Sequence, residues 1–82
     1  MPVRFVVEQA GCASCAELIS DALGELGVVE EVEVDADADT AAVSLEAGRP
    51  VAAEELERIL AEASTGSGHE YRIREGSLTG AA

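Results

Sequence analysis

The apolar period of this chain changes from two to 3.6 inside one short stretch, and both of its cysteines lie at the change. In Val3-Arg4-Phe5-Val6-Val7-Glu8, the residues Val3, Phe5 and Val7 fall on one face and Arg4, Val6 and Glu8 on the other, which predicts a strand. Beyond it, Cys15, Leu18, Ile19, Ala22, Leu23 and Leu26 share one helical face, with Glu17, Ser20, Asp21 and Glu25 opposite. Gly27 is the expected stop of that helix. The connecting stretch Gln9-Ala10-Gly11-Cys12-Ala13-Ser14-Cys15-Ala16 thus puts Cys15 in the first helical turn, at the top of the buried stripe. Cys12 falls in the loop before it, freer to move.

A C-x-x-C at a strand-to-helix turn brings two sulfurs together beside the free N–H groups of a helix start. Those groups and the helix dipole favour thiolate over thiol. Two converging thiolates can bind a soft metal ion, exchange disulfides, or close a bridge. No secretory or membrane segment is visible, since Phe5-Val6-Val7 is far too short for either. The expected setting is therefore reducing and cytoplasmic, where such a motif is more often metal-binding or redox-active than structural. The redox reading is the weaker one. The chain lacks the aromatic and proline surroundings of a thioredoxin-type site and is shorter than that fold requires.

The rest of the chain continues the alternation of elements. Val28 to Asp35 reads as a second strand, with Val32 and Val34 facing in and Glu31, Glu33 and Asp35 forming an acidic face that is either solvated or a docking patch. Ala36-Asp37-Ala38-Asp39 is a polar turn. A third strand follows from Thr40 to Glu46, with Ala41, Val43 and Leu45 inward. A second helix covers Ala53 to Ala63 on the stripe Leu56, Ile59, Leu60 and Ala63, and its cap position, Ala52, has no side-chain oxygen. Ser64-Thr65-Gly66-Ser67-Gly68 is a loop, and a last strand carries Tyr71 and Ile73 inward and Arg72 and Arg74 outward. The order strand, helix, strand, strand, helix, strand predicts an α+β protein. Its compact form is a ferredoxin-like βαββαβ sandwich, a four-stranded antiparallel sheet with two helices on one face. Residues 1–75 make that single domain, and residues 76–82, without periodicity, are expected to be a flexible tail.

Composition narrows the function. A content of 48% hydrophobic residues is enough for a packed core, yet Phe5 and Tyr71 are the only aromatics, so Val, Leu, Ile and Ala must fill it. Seventeen acidic residues against five arginines and no lysine leave a net charge of −12. Such a surface repels phosphate backbones, which argues against nucleic acid, and attracts a cation or a basic partner. No general base, nucleophile or phosphate loop accompanies the cysteines, so no enzyme is expected.

Cys12-Ala13-Ser14-Cys15 between the first strand and first helix, Gly27-Val28 through Val34, Val51-Ala52-Ala53-Glu54-Glu55-Leu56, and Gly68-His69-Glu70-Tyr71 together resemble the heavy-metal-associated domain. That domain occurs in copper chaperones and in N-terminal parts of metal-transporting P-type ATPases. The resemblance spans Pro2 to Glu75 and implies that Cys12 and Cys15 are metal ligands. It also places His69 in the opposite loop, facing the site, where the family has a charge-compensating Lys or a His that approaches the metal. The implied partner is a metal-transporting P-type ATPase or another metal-binding domain. The expected form is a monomer, with a metal-bridged dimer as the alternative.

Two thiolates satisfy Cu(I), whereas zinc normally takes four ligands, or three and water. Cu(I) is therefore the expected cargo, held and passed on by ligand exchange. Zn(II) or Cd(II) is the runner-up, with Glu8 or Glu70 as the added ligand. Three departures from the family stand out. Ala10 replaces a Met that tethers the loop to the core, Gly11 has no side chain, and the lysine-rich docking face of many copper chaperones is missing. Ala10-Gly11 is expected to leave the metal loop more mobile and less anchored than is usual in the family.

Overall fold

The valine alternation and the two helical stripes form the elements they predict. The computed structural model, which describes residues 2–65, 68 and 70–80, contains β1 (Pro2–Glu8), α1 (Ala13–Leu23), β2 (Gly27–Asp35), β3 (Thr40–Ala47), α2 (Ala53–Ser64) and β4 (Arg72–Ile73). The strands make one antiparallel sheet in the order β2-β3-β1-β4. Both helices cover its inner face, giving the ferredoxin-like sandwich. The core joins Val3, Phe5 and Val7 of β1 to Ala41, Val43 and Leu45 of β3. Cys15, Ile19 and Leu23 of α1 and Leu56, Ile59 and Leu60 of α2 close it from above.

Some boundaries differ from expectation, each for a local reason. Helix α1 ends at Leu23, where the Gly24 N–H still reaches the Ser20 carbonyl at 3.1 Å. Gly27, expected as the stop, instead opens β2. A Cβ there would lie 2.1 Å from the Glu46 carbonyl oxygen, so the glycine serves strand pairing. Leu26 remains in the core beyond the helix, while Leu18, assigned to the buried stripe, is 39% exposed. In β2 the register shifts between Val29 and Glu31. This bulge lets Val29, Val32 and Val34 pair with Leu45, Val43 and Ala41, all on the inner face, despite the odd spacing of Val29 and Val32. Ser64, read as loop, is the last residue of α2.

The segment after Glu75, expected to be a loose tail, runs back along β1 as far as it is described. Thr79 exchanges two backbone hydrogen bonds with Arg4, at 3.0 and 2.8 Å, and the Val6 N–H donates to Ser77 Oγ at 3.1 Å. Leu78 packs against the core. Strand β4 is only two residues long, so this return satisfies the β1 edge that β4 leaves open.

Candidate metal centre

Helix α1 begins where Cys12 adopts an extended backbone, φ −128° and ψ 159°. Its Sγ accepts the Cys15 N–H at 3.2 Å, and its carbonyl accepts the Ala16 N–H at 3.2 Å. A sulfur thus fills the capping place usually held by a Ser, Thr, Asp or Asn oxygen. The first turn carries no acidic side chain. A capping N–H at a helix N-terminus is the kind of setting that favours thiolate over thiol in a reduced cysteine. The two Cα atoms are 5.2 Å apart and the sulfurs stand at disulfide distance. Cys15 is 1% exposed, at the head of the core stripe, whereas Cys12 is half-buried and offers the open side of the pair. Oxidised, the pair is closed. Two-electron reduction by an external thiol would open it, with Cys12 the more accessible sulfur and Cys15 the more buried.

The loop before Cys12 is anchored through its backbone, where the side chains of Ala10 and Gly11 offer no tether. Ala10 is fully buried in the core, and its N–H donates to the Asp39 carbonyl at 3.1 Å. The Gly11 N–H donates to Asp39 Oδ1 at 3.0 Å. A Cβ on Gly11 would lie 2.6 Å from Asp39 Cα and 3.0 Å from the Asp35 carbonyl oxygen. Glycine is therefore required for the β2–β3 turn to close on the loop. At its other end, Gln9 takes a left-handed backbone, φ 59°, and its Oε1 accepts the Glu70 N–H at 3.3 Å. The loop is thus tied to both neighbouring turns.

Cys12 and Cys15 are brought together as the sequence suggested. His69 lies outside the described residues. Glu8 is exposed on the outer face of β1, and the Glu70 carboxylate is engaged by the Arg72 guanidinium, with Nε to Oε1 at 3.0 Å. No group of three His, Cys, Asp or Glu side chains able to hold a metal forms among the described residues. Tyr71 is buried in the core, as expected. No helix among the described residues is long and apolar enough to cross a membrane.

Sequence reasoning missed Cys12 as a cap and Asp39 as an anchor. Cysteine is absent from the usual capping residues, and Asp39 lies 28 positions from Gly11. The signal that could have pointed to the second is Gly11 itself, a side-chain-free position beside the motif.

The heavy-metal-associated domain model matches residues 4–66, most of the chain. Among solved structures, oxidized MerP from Ralstonia metallidurans CH34 is similar in fold. It aligns with a TM-score of 0.56 and 14% identity, over 92% of this chain and all of that one. A second, described under the heading of crosstalk between Cu(I) and Zn(II) homeostasis, aligns with a TM-score of 0.52 and 22% identity, over 85% of this chain and 96% of that one. A search of curated protein sequences found no match. A family match of this extent, on a βαββαβ sandwich with a C-x-x-C at the head of its first helix, makes the chain a small metal-binding domain of the heavy-metal-associated family.

Proposed function

We propose that the protein holds Cu(I) between Cys12 and Cys15 and passes it on by ligand exchange. The observation that carries this reading is a pair of cysteine sulfurs brought together at a helix N-terminus, a two-sulfur donor set once their disulfide is reduced. Cu(I) is soft and accepts two or three sulfur ligands, whereas Zn(II) normally takes four, or three and water. Transfer begins at Cys12, the accessible sulfur. An incoming thiolate makes the ion three-coordinate, and a resident sulfur then leaves. Only metal–sulfur bonds are made and broken in this exchange, so the reading is of a carrier and not an enzyme.

The partner in this reading is a metal-transporting P-type ATPase or another metal-binding domain in the cytoplasm. Beside the site, an open groove between α1 and β2 is lined by Glu17, Asp21, Glu30 and Glu31 with no arginine among them, which suits a basic docking face. His69 is the third residue of the proposed site, acting as a neutral ligand or as an imidazolium that offsets the charge of the bis-thiolate complex. The test is equilibrium competition of Cu(I) and Zn(II) for the reduced protein, each against a chelator of known affinity. Tight one-to-one Cu(I) binding with weak Zn(II) binding is expected. Preference for Zn(II) or Cd(II) would shift the reading to the runner-up cargo.

A further inference from the structure

We propose that Asp39, in the turn between β2 and β3, is a positioning residue for the metal loop: its side chain holds Gly11 so that Cys12 stays close to Cys15. The inference rests on reading the two cysteines as the metal ligands. Three observations carry it. Asp39 grips two successive N–H groups of the loop, Ala10 through its carbonyl and Gly11 through Oδ1, at 3.1 and 3.0 Å. Gly11 has no room for any side chain against Asp39, so the two residues fit as a pair. Asp39 itself sits at φ 56°, a left-handed conformation that aspartate tolerates better than most residues and that turns its carboxylate toward the loop.

The turn is ordered before it reaches the loop. Asp35 Oδ1 accepts the N–H groups of Asp37 and Ala38, each at 3.1 Å, which fixes the path of the chain into Asp39. The acidic turn is thus more than a solvated connection. It replaces a tether that the small side chain of Ala10 cannot provide beyond its own burial. Gly11 directly precedes Cys12, so holding its N–H limits where the first sulfur can go. A limited range raises the effective concentration of one sulfur beside the other, which favours both chelation and disulfide closure.

Two substitutions separate the hydrogen bond from the backbone and from the charge. Asp39→Gly keeps the left-handed conformation and removes the acceptor. Asp39→Asn keeps an acceptor oxygen and removes the charge. Each variant is read twice: by Cu(I) affinity in chelator competition, and by the dithiol–disulfide equilibrium with oxidised and reduced glutathione, which involves no metal. Asp39→Gly is expected to lower Cu(I) affinity and shift the equilibrium toward the dithiol, each by roughly three- to ten-fold, the scale of one hydrogen bond. Asp39→Asn is expected to stay close to wild type in both. Asp39→Gly matching wild type in both readouts would overturn the proposal, as would Asp39→Asn being equally impaired. If the wild type itself binds no Cu(I), the functional reading fails, and the glutathione equilibrium still decides the role of Asp39.

Discussion

Replacing Gly11 by alanine tests whether the metal loop is clamped or free, because the two cases predict opposite signs. Gly11 lies outside the left-handed region, so its backbone is open to alanine and only space decides the result. In a free loop, Gly→Ala would stabilise by about 0.4–1 kcal/mol through the unfolded chain. Here the new Cβ meets Asp39 Cα at 2.6 Å, Asp39 Oδ1 at 2.9 Å and the Asp35 carbonyl oxygen at 3.0 Å, two of them backbone atoms that cannot swing aside. Carbon atoms rest about 3.5–4.0 Å apart, so the turn must retreat by about 1 Å. Overpacking of that kind costs about 1–3 kcal/mol. The weakened Gly11 N–H to Oδ1 hydrogen bond adds about 0.5–1.5 kcal/mol. Net of the unfolded-state gain, Gly11→Ala should destabilise by about 1–3 kcal/mol. In a domain of this size that is a fall in Tm of roughly 5–20 °C, measured by circular dichroism. Gly48→Ala is the control, since a Cβ there meets nothing within 4 Å and it should be neutral or slightly stabilising. A Gly11→Ala variant as stable as Gly48→Ala would refute the clamp.

Three further outcomes follow from other parts of the molecule. Ala52 caps α2 with an extended backbone, φ −82° and ψ 150°, and no side-chain bond, so Ala52→Ser should stabilise by about 0.5–2 kcal/mol in thermal melts without changing metal affinity. The Arg49 guanidinium, hydrogen-bonded to Glu55 at 3.0 and 2.5 Å, holds the Glu55 carboxyl below its ordinary pKa. The carboxylate form is therefore favoured by folding, and this contribution is complete above the ordinary carboxylate range and lost as pH falls through the lowered value. The Tm gap between wild type and Glu55→Gln should accordingly shrink on acidification, and a gap that widens would reverse the assignment. If His69 is a ligand, His69→Ala should lower Cu(I) affinity modestly and remove part of its weakening below neutral pH, as followed by competition across pH. An imidazolium that only offsets charge would give the opposite pH trend.

The residues that sequence reading placed well are those governed by local periodicity. Val3, Phe5 and Val7 alternate into the core, and Cys15, Ile19 and Leu23 recur at four-residue intervals, so β1, α1 and the strand-to-helix turn between them were evident from spacing alone. Glycines were harder because one residue type serves two purposes. Gly24 ends α1 and Gly27 admits the Glu46 carbonyl, a distinction that exists only once β2 and β3 have paired. The bulge in β2 did leave a trace, the three-residue step from Val29 to Val32, which strict alternation cannot absorb. The return of Ser77, Leu78 and Thr79 along β1 has no periodic signature, being held by an isolated backbone bridge, side-chain hydrogen bonds and the packing of Leu78. The anchoring of Gly11 by Asp39 was out of reach for the same reason, being a contact between two turns distant in the chain.

The most direct test of the central claim is Cu(I) titration of the reduced wild type beside Cys12→Ser and Cys15→Ser, in competition with a chromogenic Cu(I) chelator. If the two sulfurs at the head of α1 are the site, wild type binds one equivalent tightly and both variants lose that binding. Cys15→Ser should in addition lower Tm more than Cys12→Ser, because its hydroxyl would replace a sulfur that is 1% exposed. Retention of wild-type Cu(I) affinity by either folded variant would contradict the account.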